Sequence, residues 1–232
     1  MAATVAKIVF LFDVDNTLLD NDAVQADLSA YLQQEFGRAC RDRYWAIFEE
    51  LRVELGYADY LGALQRYRLE NLDDPELLEL SFFLVDYPFR ERLYPGAVAA
   101  LERCARLGTT VLLSDGDVVF QPRKIQRAGL WDAVGGRVLI YLHKELMLDA
   151  LARRYPADHY VMIDDKLRIL AAMKREWRER LTTVFVRQGH YALDARELER
   201  YPPADLTLAR IGELAECTLE MLPGALGAQR LG

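Results

Sequence analysis

The stretch IVFLFDVDNTLLD, residues 8–20, decides how the rest of the chain is read. Ile8 to Phe12 are apolar without a break. A short continuous apolar run of this kind reads as a strand buried on both faces. Directly behind it comes Asp13-Val14-Asp15-Asn16-Thr17. In extended chain alternate side chains share a face, so Asp13 and Asp15 are expected to point the same way. They would emerge at the carboxyl end of a central strand, where open α/β sheets hold their ligands. Two neighbouring anions repel and need a cation, a shared proton or both. A divalent metal meets the first need, and magnesium suits carboxylate oxygens together with phosphate. An acidic pair at a strand end also serves simply to cap a turn, and the pair alone does not choose between the two.

Working outward, further short apolar runs lie at 109–113, 137–141, 160–163 and 182–186, with a weaker one at 205–208; the first run extends back to Val5. Amphipathic segments at 97–107, 118–128, 145–154, 166–177 and 211–222 separate or follow them. Strand alternating with helix predicts an α/β fold, a Rossmann-like doubly wound parallel sheet with helices on both faces. Residues 21–88 break the alternation. Tyr44, Phe48, Leu51 and Leu55 recur at helical spacing, and Leu61, Leu64, Tyr67 and Leu72 suggest a second stripe. Asp74-Pro75-Glu76 has the composition of a helix start, as does Tyr94-Pro95-Gly96. The pattern predicts a core of 1–20 and 89–232 and a helical insert at 21–88. That insert is either an elaborate crossover or a cap over a site.

The chain has 232 residues, 52% apolar and 28% charged, enough for one core with a smaller insert. Its formal charge of −7 favours solubility and argues against a nucleic-acid or anionic-membrane surface. It does not argue against a small anionic substrate, since a local cluster of cations overrides a mean field. Cys40, Cys104 and Cys217 are odd in number and far apart, which fits a reducing, cytoplasmic compartment and neither a disulfide framework nor a zinc site. No apolar stretch approaches the ~20 residues of a membrane span, and the opening MAATVAKIVFLFDVDN reads as a strand rather than a signal peptide. Residues 224–232 read as a loose tail.

Three more polar elements follow apolar runs. Ser114, with Asp115-Gly116-Asp117, offers a hydroxyl and adjacent amides to phosphate oxygens, although the same composition makes ordinary turns. Lys144 offers a point charge, or is a solvated surface lysine. Asp164-Asp165 is a second acidic pair that either completes a metal site or caps a helix. His143 and His159 have no partners at ligand spacing, and His190 reads as a loop residue bordering the site.

Taken in order, DVDNT (13–17), the serine of LLSDGD (112–117), Lys144 in HKE and the pair in MIDDK (162–166) resemble the four motifs of the haloacid-dehalogenase superfamily. The resemblance covers about residues 5–222. LYPGAVAALERCARLG (93–108) resembles the helix that re-enters the core after a cap, which favours the cap reading. Two departures stand out: Glu145 follows Lys144 where a proline is frequent, and Ile169 stands where a further aspartate is expected.

The resemblance implies an enzyme, a phosphatase acting on a small phosphorylated metabolite, with no nucleic-acid or membrane partner. Asp13 would be the nucleophile that forms an aspartyl-phosphate, and Asp15 the general acid and base. Lys144 would neutralise charge, and Thr17, Ser114, Asp115 and Gly116 would bind substrate. Asp13, Asp15 (through its carbonyl), Asp164 and Asp165 would hold Mg2+. Dehalogenating relatives carry a non-acidic residue two after the nucleophile, so Asp15 favours phosphoryl chemistry. A dehalogenase, a phosphomutase and a non-catalytic binding protein on the same fold are the alternatives. Cap residues Tyr44, Trp45, Tyr60, Arg66 and Arg68 are candidates to meet a leaving group. Monomer and homodimer remain equally open.

Overall fold

A computed structural model describes residues 7–75 and 77–225. Val5 and Ala6 of the first apolar run, Glu76 of the expected helix start and 226–232 of the expected tail lie outside the described residues. The elements run β1 (Ile8–Phe12), α1 (Asn21–Glu35), α2 (Gly37–Leu55), α3 (Tyr60–Glu70), α4 (Leu77–Asp86), α5 (Ala97–Leu107), β2 (Thr109–Asp115), α6 (Phe120–Arg127), α7 (Leu130–Ala133), β3 (Val138–Tyr141), α8 (Leu148–Arg154), β4 (His159–Asp164), α9 (Leu167–Trp177), β5 (Leu181–Val186), α10 (Gly189–Leu193), α11 (Ala195–Arg200) and β6 (Leu206–Leu208). The strands form one parallel sheet in the order β3-β2-β1-β4-β5-β6, the α/β architecture that the alternation predicts.

β1 sits inside the sheet between β2 and β4 and is buried along its length, which is why its sequence is apolar without a break. Ile8, Phe10 and Phe12 face a core shared with α5, α6 and the helices of residues 21–86, whereas Val9 and Leu11 face one shared with α8 and α9. Truncating Phe12, which is fully buried, to Ala would cost about 3–5 kcal/mol. α5 buries Ala97, Ala100, Leu101 and Cys104, and at its start Gly96 crosses Gly212 so closely that a Cβ on Gly96 would lie 2.5 Å from the Gly212 Cα.

Four helices, α1 to α4, occupy the interval between β1 and α5. Asp20 caps α1 by accepting from the Ala23 N–H at 2.9 Å, and Asp59 caps α3 by accepting from Gly62 at 2.7 Å. α2 stops at Gly56, whose φ of 80° is left-handed. The chain leaves and rejoins the core side by side: Leu19 bridges Leu93, the Tyr94 N–H donates to the Leu18 carbonyl at 2.9 Å, and the Asp20 N–H to the Arg92 carbonyl at 2.7 Å.

Three local expectations fail. Leu72 lies outside the second stripe and is 74% exposed, because α3 ends two residues earlier. The expected helix over 145–154 is broken at Met147 into a 3₁₀ turn, Lys144–Leu146, and α8. The expected helix over 211–222 is two 3₁₀ turns, Ile211–Glu216 and Leu219–Met221. Its apolar residues Ile211, Leu214 and Cys217 are three apart, a spacing that suits three residues per turn as well as an α-helix. No described helix is long and apolar enough to cross a membrane.

Candidate active site

The parallel register places Asp13 and Asp164 side by side. Phe12 pairs with Ile163, and the Asp13 N–H extends the ladder by donating to the Ile163 carbonyl at 2.9 Å. On the other side of β1, Leu112 pairs with Phe12, so Ser114 and Asp115 project from β2 at the same sheet edge. The Lys144 N–H donates to Asp115 Oδ1 at 2.7 Å, which ties the turn after β3 to the end of β2. Its ammonium is 1% exposed. It bonds Asp13 Oδ1, pairs with Asp164 Oδ2 at 2.7 Å and reaches the Leu113 carbonyl at 3.3 Å. The ammonium is thus engaged by protein oxygens, through hydrogen bonds to Asp13 and Leu113 and an ion pair with Asp164.

Asp13, Asp164 and Asp165 are all buried, and each offers a carboxylate oxygen within 4.8 Å of the others'. Asp13 Oδ2 and both oxygens of Asp165 accept no hydrogen bond, and Asp164 Oδ2 has only the charge of Lys144 beside it. Buried carboxylate oxygens left this way are costly unless a cation or proton meets them. Burial pushes the Asp13 carboxyl up to about 6 against the pull of Lys144, and burial holds Asp165 well above the usual carboxylate range. Lys144 is shifted the other way: burial disfavours its charge, but Asp13 and Asp164 outweigh burial and keep it firmly protonated. An all-oxygen, hard donor set with orphaned atoms fits a divalent cation such as magnesium. Asp13, Asp164 and Asp165 are the residues that would hold it.

Asp15 does not join this trio through its carboxylate. The chain turns after Val14, whose carbonyl accepts from Thr17, Leu18 and Leu19, and Asn16 follows at a left-handed φ of 61°. Asn16 pays for that conformation locally: its Oδ1 accepts the N–H groups of Asn21 and Asp22 at 3.0 and 3.2 Å. The Asp15 carboxylate meets Lys124 Nζ at 2.8 and 3.0 Å and Gln121 Nε2 at 3.1 Å. Lys124 is 1% exposed, donates also to Asn21 Oδ1 at 3.0 Å, and lies over the rings of Tyr60 and Phe120. The same-face expectation assumed a strand where the chain has a turn.

Gln121 also donates to Ser114 Oγ at 2.9 Å. Burial raises the Asp115 carboxyl. The Gly116 N–H is already donated to the Tyr141 carbonyl at 3.0 Å and is therefore not free for a phosphate. Thr17 is buried with its hydroxyl unpartnered. Sequence reasoning missed Lys124, Gln121 and Asn21. The hint lay in Gln121 and Lys124, polar residues on the buried face of α6 beside Ile125.

A cleft of about 480 Å³ opens between the ends of the strands and α1–α2. Its walls include Asp15, Asn21, Phe48, Arg52, Lys166 and Tyr191. Arg52 Nη1 donates to the Tyr191 hydroxyl at 3.0 Å, and Asp22 accepts from the His190 N–H at 2.8 Å and meets its Nδ1 at 2.6 Å, so two polar links join the inserted helices to α10. His190 thus borders the cleft. None of Tyr44, Trp45, Tyr60, Arg66 and Arg68 lines it. Tyr44 is buried and donates to the Tyr60 carbonyl at 2.9 Å, and Arg66 pairs with Glu54.

Residues 9–176 match the family of haloacid dehalogenase-like hydrolases. A haloacid dehalogenase-like hydrolase of Burkholderia xenovorans is 67% identical, with a TM-score of 0.87 over 92% of this chain and 99% of that one. Two more distant structures share the fold. A HAD-hydrolase of Bacillus subtilis bound to magnesium is 15% identical, with a TM-score of 0.58 over 90% of this chain and 97% of that one. An L-2-haloacid dehalogenase of Xanthobacter autotrophicus with chloropropionic acid covalently bound is 20% identical, with a TM-score of 0.55 over 89% and 96%. No curated protein matches the sequence.

Proposed function

The chain belongs to the haloacid dehalogenase-like hydrolases, and from that premise we propose that it is a magnesium-dependent phosphatase of small phosphate monoesters. The observation that carries the reading is the buried trio of Asp13, Asp164 and Asp165, with unsatisfied oxygens grouped around one point beside Lys144. A magnesium-bound neighbour on the same fold supports the choice of metal.

Asp13 attacks phosphorus through its free oxygen, and the ester oxygen leaves, giving an aspartyl-phosphate that water hydrolyses. Lys144 orients Asp13 by holding Oδ1 and thereby leaves Oδ2 to react. Bound magnesium supplies charge neutralisation between the anionic nucleophile and the anionic substrate. Thr17 and Ser114 offer hydroxyls toward the phosphoryl oxygens. Asp15 protonates the leaving oxygen and then deprotonates water. For this its carboxylate must turn from Lys124 toward the substrate. The inserted helices act as a cap: they wall the cleft and exclude water.

Dehalogenation is the rival, because Asp13 could equally displace halide from carbon and a dehalogenase shares the fold. Asp15 argues against it, since halide needs no proton. The test is release of phosphate from a panel of monoesters with magnesium, with and without chelator, beside chloride release from 2-chloropropionate. Phosphate release that stops on chelation supports the proposal. Chloride release without phosphate release overturns it.

A further inference from the structure

We propose that Lys166 is a second cation of the site, one that grips the oxyanion of the substrate directly. Lys144 is engaged by protein oxygens, bonding Asp13 and the Leu113 carbonyl and pairing with Asp164. Lys166 is the opposite case. It is half-buried and lines the cleft, yet among the described residues its ammonium has neither an ion pair within 4.0 Å nor a hydrogen-bond acceptor. Its ammonium lies over the ring of Tyr191, with Nζ 4.9 Å from the ring centroid. A partly buried ammonium without an acceptor is a costly arrangement that a bound anion relieves.

Two features hold Lys166 in place. Its backbone N–H donates to Asp164 Oδ1 at 2.9 Å, which fixes its position relative to the acidic trio. Tyr191, on which its ammonium rests, is itself held by Arg52 through the 3.0 Å bond to its hydroxyl. A cation on an aromatic face loses little freedom when an anion arrives, and such a face attracts it without satisfying its donors. The group it would take is an oxyanion, and on the phosphatase reading that is the phosphoryl group under attack. A carboxylate of a haloacid presents the same chemistry, so the test separates the two.

The probe is inorganic phosphate, titrated calorimetrically into the magnesium-loaded protein, with 2-chloropropionate as a second ligand. Lys166→Gln should weaken phosphate binding about 10- to 100-fold, the loss of one charge-assisted contact. Lys166→Arg should restore it to within about threefold, and Arg106→Gln, an exposed charge change on α5, should leave it unchanged. Magnesium affinity measured without phosphate should not weaken in Lys166→Gln, because removing a neighbouring positive charge favours a cation. Phosphate affinity unchanged in Lys166→Gln, or a wild type that binds neither phosphate nor 2-chloropropionate, overturns the assignment. So does a parallel fall in magnesium affinity, which marks a collapsed site. Lys166-dependent binding of 2-chloropropionate alone keeps the assignment and sinks the phosphatase reading. Lys166-dependent phosphate binding without turnover of any monoester does likewise.

Discussion

Replacing Lys124 by Met isolates the buried charge pair that holds Asp15. Met preserves the length and the apolar stem packed on Tyr60 and Phe120, so the packing cost stays below ~1.5 kcal/mol. The electrostatic loss is larger. Lys124 makes two contacts with Asp15, at 2.8 and 3.0 Å, and one with Asn21 at 3.0 Å. Breaking a fully buried pair from one side costs about 3–5 kcal/mol. The Asp15 side chain is 24% exposed, against 1% for Lys124, so water recovers part of the carboxylate's loss. The expected destabilisation is therefore about 2–4 kcal/mol, which for a chain of this size lowers Tm by roughly 5–15 °C. Urea unfolding of Lys124→Met, Asp15→Asn and the double variant measures the coupling, expected at about 1–3 kcal/mol in the direction of relief. Losses that add to within ~0.5 kcal/mol would mean that the pair is not energetically joined, and the reasoning fails.

Asp13→Asn should reduce turnover by about 10³-fold or more in a phosphate-release assay, because no other group can form the covalent intermediate; near-native turnover rules Asp13 out as nucleophile. Asp165 has a pH signature. Its carboxyl is raised above the ordinary 3.8 by burial, so its contribution to stability is fully present below about pH 4 and is lost as pH climbs toward the folded value. Without metal, Asp165→Asn should therefore flatten the fall in Tm between pH 4 and 7 and melt several degrees higher at pH 7, while losing most of the rise in Tm that magnesium gives the wild type. A variant less stable than wild type at pH 7 without metal refutes this. Tyr44→Phe removes the hydroxyl that donates to the Tyr60 carbonyl and should cost about 1 kcal/mol by urea unfolding. An unchanged midpoint counts against that bond.

The sheet was readable because β1 and residues 160–163 of β4 are continuous apolar runs that stop abruptly at Asp13 and Asp164, the composition that burial on both faces favours. The meeting of Asp13, Lys144 and Asp164 follows from parallel register alone, since each lies at or just past a strand's carboxyl end. What periodicity does not encode is the orientation of one element on another. Phe48 and Arg52 belong to the cleft because of how α2 lies over the sheet, and Tyr44, four residues before Phe48, turns into the packing. Lys124 carries no functional signal of its own within the amphipathic segment 118–128, and only the tertiary fold turns it inward onto Asp15. The turn at Asn16 was missed for a related reason: an asparagine in left-handed backbone leaves no mark on an apolar pattern.

The paired strandlets at Leu18–Leu19 and Leu93–Tyr94 give residues 21–92 the geometry of a module plugged into a socket. The ends of the excursion are already joined by the sheet-bearing part, so a lobe of different length or composition can be grafted there without straining the strands behind it. On the proposed reading recognition and reaction lie on separately replaceable stretches, so exchanging 21–92 should alter what is recognised while leaving the trio of Asp13, Asp164 and Asp165 in place.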